Sequence, residues 1–443
     1  MNAVALTEYY RSALAGRELP GAGLAWLSDR RSKAFAAFQG FPTTRDEDWK
    51  YTKVAAIEKR LFQFVPGMCI GLDEDDIEQY LIPGLDSYRL VFVNGQYMPM
   101  LSSKRSEQPQ GFTVASLSLV LSEQPEAVES VLGTIADPSD NGFAALNSAE
   151  MADGACVILP AGQVADKPIQ ILYLTTAGGD DIVAQPRNLF IAGDNAQATI
   201  FETYASMGDS TYLTNAVTEV SLGANAGLNH YKCQTESGKS YHVSMTQVDQ
   251  ARDSRFNSHL VSLGAMLARH DLNSVFNGEG GECVLDGLYV TDGRQHCDIH
   301  SRVDHVQPHC RSDEKFKGVL GGRSRAVFNG KVYVHVDAQK TDASQHNANL
   351  LLSKDAEIDT KPQLEIYADD VKCAHGATVG QLDETAVFYL RSRGLDNEAA
   401  RSLLTYAFVG EMVDRIPLAE YQQVVRGHVL ARLPGGDMIR ALM

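Results

Sequence analysis

The sequence predicts a mainly β protein held between two helical ends. Three observations predict it. Near the start, Leu24, Leu27, Ala34, Phe35 and Phe38 recur at spacings close to three and four, the period of one helix face. From Ala155 helical periodicity nearly disappears, and short apolar runs follow one another between Gly, Asn and Asp, as in a chain of short strands. After Gly394 the helical spacing returns. The boundaries that follow are a mainly helical unit at 1–152, a β core at 153–393 and a helical unit at 394–443.

In the first unit, residues 1–40 read as helical, with Pro42 beyond the end. A polar connector follows, and its Trp49 and Tyr51 are expected to pin it to a neighbouring face. Tyr88–Val93 reads as a strand, with a turn at Asn94-Gly95. A capped helix is expected from Ser122 to Leu132, and another from Phe143 to Ala152, ended by Gly154.

In the core, the runs include Cys156–Leu159, Ile169–Leu174, Thr199–Tyr204, Val217–Leu222, Val284–Tyr289 and Val332–Val336. In the last, Val332, Val334 and Val336 alternate with Tyr333 and His335, so one face is core and the other wet. Small residues punctuate these runs at Gly193-Asp-Asn-Ala, Gly223-Ala-Asn-Ala and Gly264-Ala-Met-Leu. The first interval is 30 residues (193 to 223) and the second 41 (223 to 264), so the spacing is no strict repeat. Coils of a solenoid with variable loops fit this pattern, and so does a large sandwich.

The core ends in the stretch with the most chemistry. Leu364-Glu365-Ile366-Tyr367 alternates as a half-buried strand does. Val371-Lys372-Cys373-Ala374-His375-Gly376 then sets a thiol and an imidazole two residues apart. If extended, Cys373 and His375 point to one side of a sheet. Both are ligands for soft or borderline metals, and the small residues beside them let another backbone or a cluster come close. A plainer reading also fits: a small apolar filler beside a hydrogen-bonded packing histidine. Val387–Leu390 is a further short apolar run, stopped by Arg391-Ser392-Arg393-Gly394. Asp396 or Asn397 then caps a helix at 398–415, with Leu403, Leu404, Ala407, Phe408, Met412 and Val413 on one side. Pro417 and a second helix at about 418–433 complete the chain.

At 443 residues, with 44% apolar and 21% charged residues, the chain can bury a large core. A net charge of −17 argues against nucleic acid or an anionic membrane as partner. No apolar run is long enough to span a bilayer, and the start lacks the pattern of a signal peptide, so a cytoplasmic location is expected. The seven cysteines, Cys69, Cys156, Cys233, Cys283, Cys297, Cys310 and Cys373, are odd in number, and none forms a Cys-x-x-Cys pair. That suits reduced thiols. A resident iron–sulfur cluster takes about four closely spaced thiolates; any cluster on this chain should therefore be transient, exposed or shared with a second chain. No phosphate-binding Gly-rich loop is present, so no bound nucleotide is expected. A second constellation, His296, Cys297, Asp298, His300, Asp304, His305, His309 and Cys310, has the composition of a zinc or iron site. It supports an alternative reading as a mononuclear metalloenzyme.

Ala368-Asp-Asp-Val-Lys-Cys-Ala-His-Gly-Ala-Thr-Val-Gly380, followed by Phe388-Tyr-Leu-Arg-Ser-Arg-Gly394, resembles the C-terminal signature of the SufB/SufD family. This is the scaffold family of the SUF iron–sulfur cluster assembly machine. Lys317-Gly-Val-Leu320, Val327-Phe-Asn-Gly-Lys-Val332, Ala338-Gln-Lys-Thr-Asp-Ala343, Asn349-Leu-Leu-Leu-Ser353 and Glu47-Asp-Trp-Lys-Tyr-Thr52 fit the same family. The likeness is dense from about 300 to 410 and sparse elsewhere.

The resemblance implies a right-handed parallel β-helix, whose last coil leaves a raw edge for a partner. It implies a non-catalytic scaffold subunit that pairs with SufB through that end and carries the ATPase SufC on its C-terminal helical unit. A nascent, transient iron–sulfur cluster would form at the subunit interface. The family's functional imidazole matches His375, the metal-side ligand shared with a partner chain, and its neighbouring thiol matches Cys373, which either ligates or packs. The essential thiols of SufB have no counterpart in 345–353, where His346 and Asn347 stand; that departure fits the SufD side of the family. Homodimer formation and any flavin stay open.

Overall fold

The computed structural model describes residues 3–64, 71–176 and 181–442; Cys69 lies outside them. The chain winds as a parallel β-solenoid of about 7 turns, with helical parts at both ends. Successive strands alternate between two sheets. The first sheet runs in the order Glu357–Ile366, Arg325–Val334, His296–His305, Leu267–Phe276, Tyr241–Gln250, Tyr212–Leu222, Arg187–Ala192, Ala155–Leu159 and Thr113–Ser116. The second begins at Lys372–Gly380, continues through Asp342–Leu351, Arg311–Leu320 and Glu282–Thr291, and ends at Tyr88–Val93 and Gln96–Tyr97. The strands of the coils are parallel and paired in continuous register.

The solenoid explains the uneven punctuation. Asn195, Asn225, Asp253, Gly280, His309 and Lys340 all have positive φ, and each sits at one corner of successive coils. Ala265, Gly293 and Gly322 form a second series, at another corner. Gly264 belongs to the second series and Gly193 and Gly223 to the first, so the interval of 41 crosses from one corner to the other. The period lies in backbone conformation, and it is also written in residue type at Gly293 and Gly322 in the second series and at Asn195 and Asn225 in the first. There one amide donates to the next, Asn225 Nδ2 to Asn195 Oδ1 at 2.8 Å.

The core fills the space between the sheets: Phe190, Ile200, Leu260, Leu285, Tyr289, Phe316 and Phe328 are all buried there. The outer faces are covered by helices. Leu6, Tyr10, Phe38, Phe41, Trp49 and Phe143 pack with Leu213, Tyr241 and Val243 on the first sheet. Val409, Met412, Val413, Tyr421 and Val425 pack with Phe201, Tyr231, Leu288 and Val319 on the second.

Several elements differ from the sequence reading. The expected helix from Ser122 to Leu132 is two short ones, Leu117–Glu123 and Glu126–Glu129. Pro125 separates them because it lacks an N–H and its ring obstructs the preceding turn; Ser116 is the cap, accepting from Leu119 N. The helix Gly142–Glu150 is ended by Met151 in the left-handed region, not by Gly154. Tyr88–Val93 is a strand as read, but it pairs with Ile169–Thr176 and so extends the second sheet. Val387–Leu390 lies in a helix, Glu384–Ser392, capped by Asp383. In Asn397–Asp414, capped by Asp396, the buried side carries Ala399, Ala400, Ser402, Thr405, Val409, Met412 and Val413, whereas Ala407 is exposed. Polar Thr405 misled the pattern: its hydroxyl donates back to Arg401 O, which frees its carbon surface to pack.

Candidate functional site

Cys373 and His375 lie on Lys372–Gly380, the last strand of the second sheet. It pairs with Asp342–Leu351 on one side, and among the described residues nothing pairs with the other. Lys372 N donates to Thr341 O. Alternation along a parallel strand turns the N–H groups of Cys373, His375, Ala377 and Val379 to the free side. The first sheet ends in the same way at Glu357–Ile366. At the opposite end of the solenoid, antiparallel segments close the sheets, Gln96–Tyr97 on Tyr88–Val93 and Thr113–Ser116 on Ala155–Leu159. The open end is the one that carries the thiol and the imidazole.

Register fixes where the two side chains point. Cys373 is opposite Ala343 and His375 opposite Gln345, and both partners are buried. Cys373 and His375 thus continue inward-facing rows into a coil that has no successor to cover it, which leaves His375 exposed and Cys373 half-buried. Cys373 packs beside Val332, Val334, Ala338, Ala343 and Ala368. Burial pushes its thiol pKa up and Asp342 adds to the rise, against a backbone hydrogen bond at Ala343. Among the six described cysteines the other five are buried. Burial raises Cys156, Cys233 and Cys297 to about 12, so these thiols are core filler rather than ligands. Small residues flank the pair, and a Cβ at Gly376 would come within 3.2 Å of His346 Nδ1. Val336, Ile366, Tyr367 and Val379 rim the open end as exposed apolar groups, and Phe388 and Tyr389 stand exposed on the helix that follows. The tyrosine rings of 333 and 367 lie 5.3 Å apart.

The His296–Cys310 constellation does not converge. His296, Asp298 and His300 share the outer face of one strand, as the spacing implied, but Cys297 and His305 point into the core and His309 lies on an exposed corner. Asp298 is buried and already engaged. It accepts from Thr52 Oγ1 at 2.5 Å and Arg269 Nη1 at 2.6 Å, with His300 Nε2 at 3.2 Å. Burial works to raise its pKa, yet Arg269 and the histidines hold it well below the usual carboxylate range. Arg269 also stacks over Trp49 at 4.3 Å and donates to Asp48 O. This network ties the connector Glu47–Thr52 to the sheet, and Trp49 is buried there against Phe143 as expected. Among the described residues no three His, Cys, Asp or Glu side chains are grouped to hold a metal ion.

The sequence reading did not single out the row behind His375. Leu285, Glu314, Gln345 and His375 are register partners on consecutive coils. Glu314 and Gln345 are buried, and Gln345 Nε2 donates to Glu314 Oε1 at 3.2 Å. Glu314 also accepts from the Ser301 hydroxyl, and burial raises its carboxyl to about 7 despite these donors. The signal was present as spacing: Glu314, Gln345 and His375 follow one another at intervals of 31 and 30 residues, the length of one coil.

Residues 173–408 match the family model of the SufBD core domain of the SUF iron–sulfur cluster assembly system, and residues 8–171 match the SufBD N-terminal region. An iron–sulfur cluster assembly SufBD family protein of Synechocystis is 39% identical over 88% of this chain and 87% of its own length. The iron–sulfur cluster assembly protein SufD of Escherichia coli is 34% identical over 90% of both chains. SufD of Bacillus subtilis is 24% identical over 89% of this chain and 91% of its own length.

Proposed function

The chain belongs to the SufBD family of SUF iron–sulfur cluster assembly proteins, and from that premise we propose that it is a SufD-type scaffold subunit whose open coil contributes one ligand to a site completed by a partner. The observation that carries this reading is the exposed imidazole of His375 on an inward row of an unpaired terminal strand. One nitrogen donor and a half-buried thiol are too few for a resident cluster. They suit a nascent cluster, the cargo, whose remaining ligands come from another chain. SufB, built on the same solenoid, is the partner that would continue the strand ladder, with the exposed apolar rim supplying contact area. The protein would do this without catalysis of its own.

The C-terminal helices are the proposed seat of the ATPase SufC. They are fastened to the second sheet by Glu411 between Lys315 and Lys317, by Arg415 on Asp286 at 2.7 Å and by His259 against Met412 O at 2.9 Å. A pull on the helices would therefore reach the coils that lead to the open end.

Replacement of His375 by alanine tests the reading. Cluster maturation in cells should fail while thermal unfolding and subunit co-purification stay as in the wild type, because exposed positions change stability by only about 0.5 kcal/mol. Normal maturation with Cys373 and His375 both replaced would leave the chain a spacer between its partners.

A further inference from the structure

The structure assigns Gln345 as the positioning residue for His375: in the assembled complex its side-chain carbonyl accepts one ring N–H and so reserves the other ring nitrogen for metal. The assignment rests on His375 being the metal-side donor, as proposed above.

Three observations carry it. Gln345 Oε1 is buried and has no hydrogen-bond partner among the described residues, although its residue is 2% exposed. A buried carbonyl without a donor is unfavourable; other buried acceptors such as Asp286 Oδ1 and Asn329 Oδ1 also lack a partner, but among the described residues Gln345 Oε1 is the one that lies on the row ending at His375. Second, the carboxamide is not free to turn at will. Its nitrogen donates to Glu314 Oε1, and it lies against Gly330 of the facing strand, where an added Cβ would sit 2.2 Å from Nε2. With the nitrogen committed to Glu314, the oxygen is left for another group. Third, the next residue along the same inward row is His375, one strand spacing of about 4.8 Å away, and an imidazole N–H is a donor.

The chemistry follows from the two ring nitrogens. A metal-binding histidine needs a lone pair on one nitrogen, and an acceptor on the other fixes the tautomer and the ring plane. Gln345 supplies that acceptor, and Glu314 keeps its carbonyl aimed. In the isolated chain His375 stands exposed; once a partner covers the coil, the row closes and the N–H of His375 meets the waiting oxygen.

The test uses the assembled complex of this chain with its SUF partners, with cobalt(II) alone as the probe, read by its visible ligand-field spectrum. Gln345→Leu and Gln345→Met remove the acceptor at nearly constant volume; the second, more flexible side chain guards against a packing defect in the first, and thermal midpoints confirm folding. Both variants should weaken cobalt binding at the His375-dependent band about 10- to 100-fold. In a His375→Ala background neither should weaken the residual binding further. Wild-type affinity in both variants, or an equal loss with His375 already removed, would overturn the assignment. Cobalt binding unaffected by His375→Ala itself would instead strike the reading on which the assignment rests.

Discussion

Cys373 and His375 are separated by one residue yet occupy different surroundings. The thiol leans on a small apolar cluster and its proton is held more tightly there; the imidazole stands clear. The two residues and their shared side of the strand could be read from the sequence, because a period of two needs only the strand assignment. Their unequal exposure could not, since it depends on where the coil stops. Glu314 was harder to read: its tie to Gln345 shows in the sequence only as a spacing of one coil, which acquires meaning once the solenoid is known. It supports a prediction of its own. The folded state holds its carboxyl at about 7 rather than the ordinary 4.5, so between those values the folded protein binds more protons than the unfolded chain. Stability from this group is therefore intact below pH 4.5 and is lost as pH rises through 7. Glu314→Gln removes the titration. The variant's unfolding free energy relative to wild type should climb by up to about 3 kcal/mol between pH 4.5 and 7.5, as measured by denaturant unfolding. A difference that stays flat across this range would contradict the burial cost assigned to Glu314.

Among the elements, the terminal strand Lys372–Gly380 matters most. Its N–H groups alternate between the neighbouring strand and a side on which no described strand pairs with it, so proline is tolerated only where the N–H faces outward. Ala377→Pro falls on the outward set. The variant should fold with a small loss of stability and remain a solenoid by circular dichroism, yet lose co-purification with the partner subunit at least tenfold. Undiminished co-purification would show that no strand adds at this edge. Strands and helices of strong period were legible in the sequence, including Tyr88–Val93 and the two long C-terminal helices. Those that failed were set by local chemistry the period ignores: Pro125 splitting a helix, or Thr405 burying carbon while bonding its own backbone.

For the molecule as a whole, helices lie on the outer faces of two sheets that enclose one core, and the coil axis runs from a closed end to an open one. The sequence pattern left solenoid and sandwich level, because both bury alternate residues of short strands; parallel register across coils decides between them, and register is a long-range property. The corner positions did carry the period, but as backbone conformation at Asn195, Asn225, Asp253, Gly280, His309 and Lys340, five residue types for one geometry. The proposed function rests on the asymmetry of the two ends. Amide hydrogen exchange of residues 372–380, in the chain alone and in the assembled SUF complex, reads that asymmetry directly. Fast exchange at Cys373, His375, Ala377 and Val379 in the lone chain, slowed at least tenfold on assembly while Ala374, Gly376 and Thr378 change little, is the expected result. Exchange at these four amides that is already slow in the lone chain, or unchanged in the complex, would contradict the account.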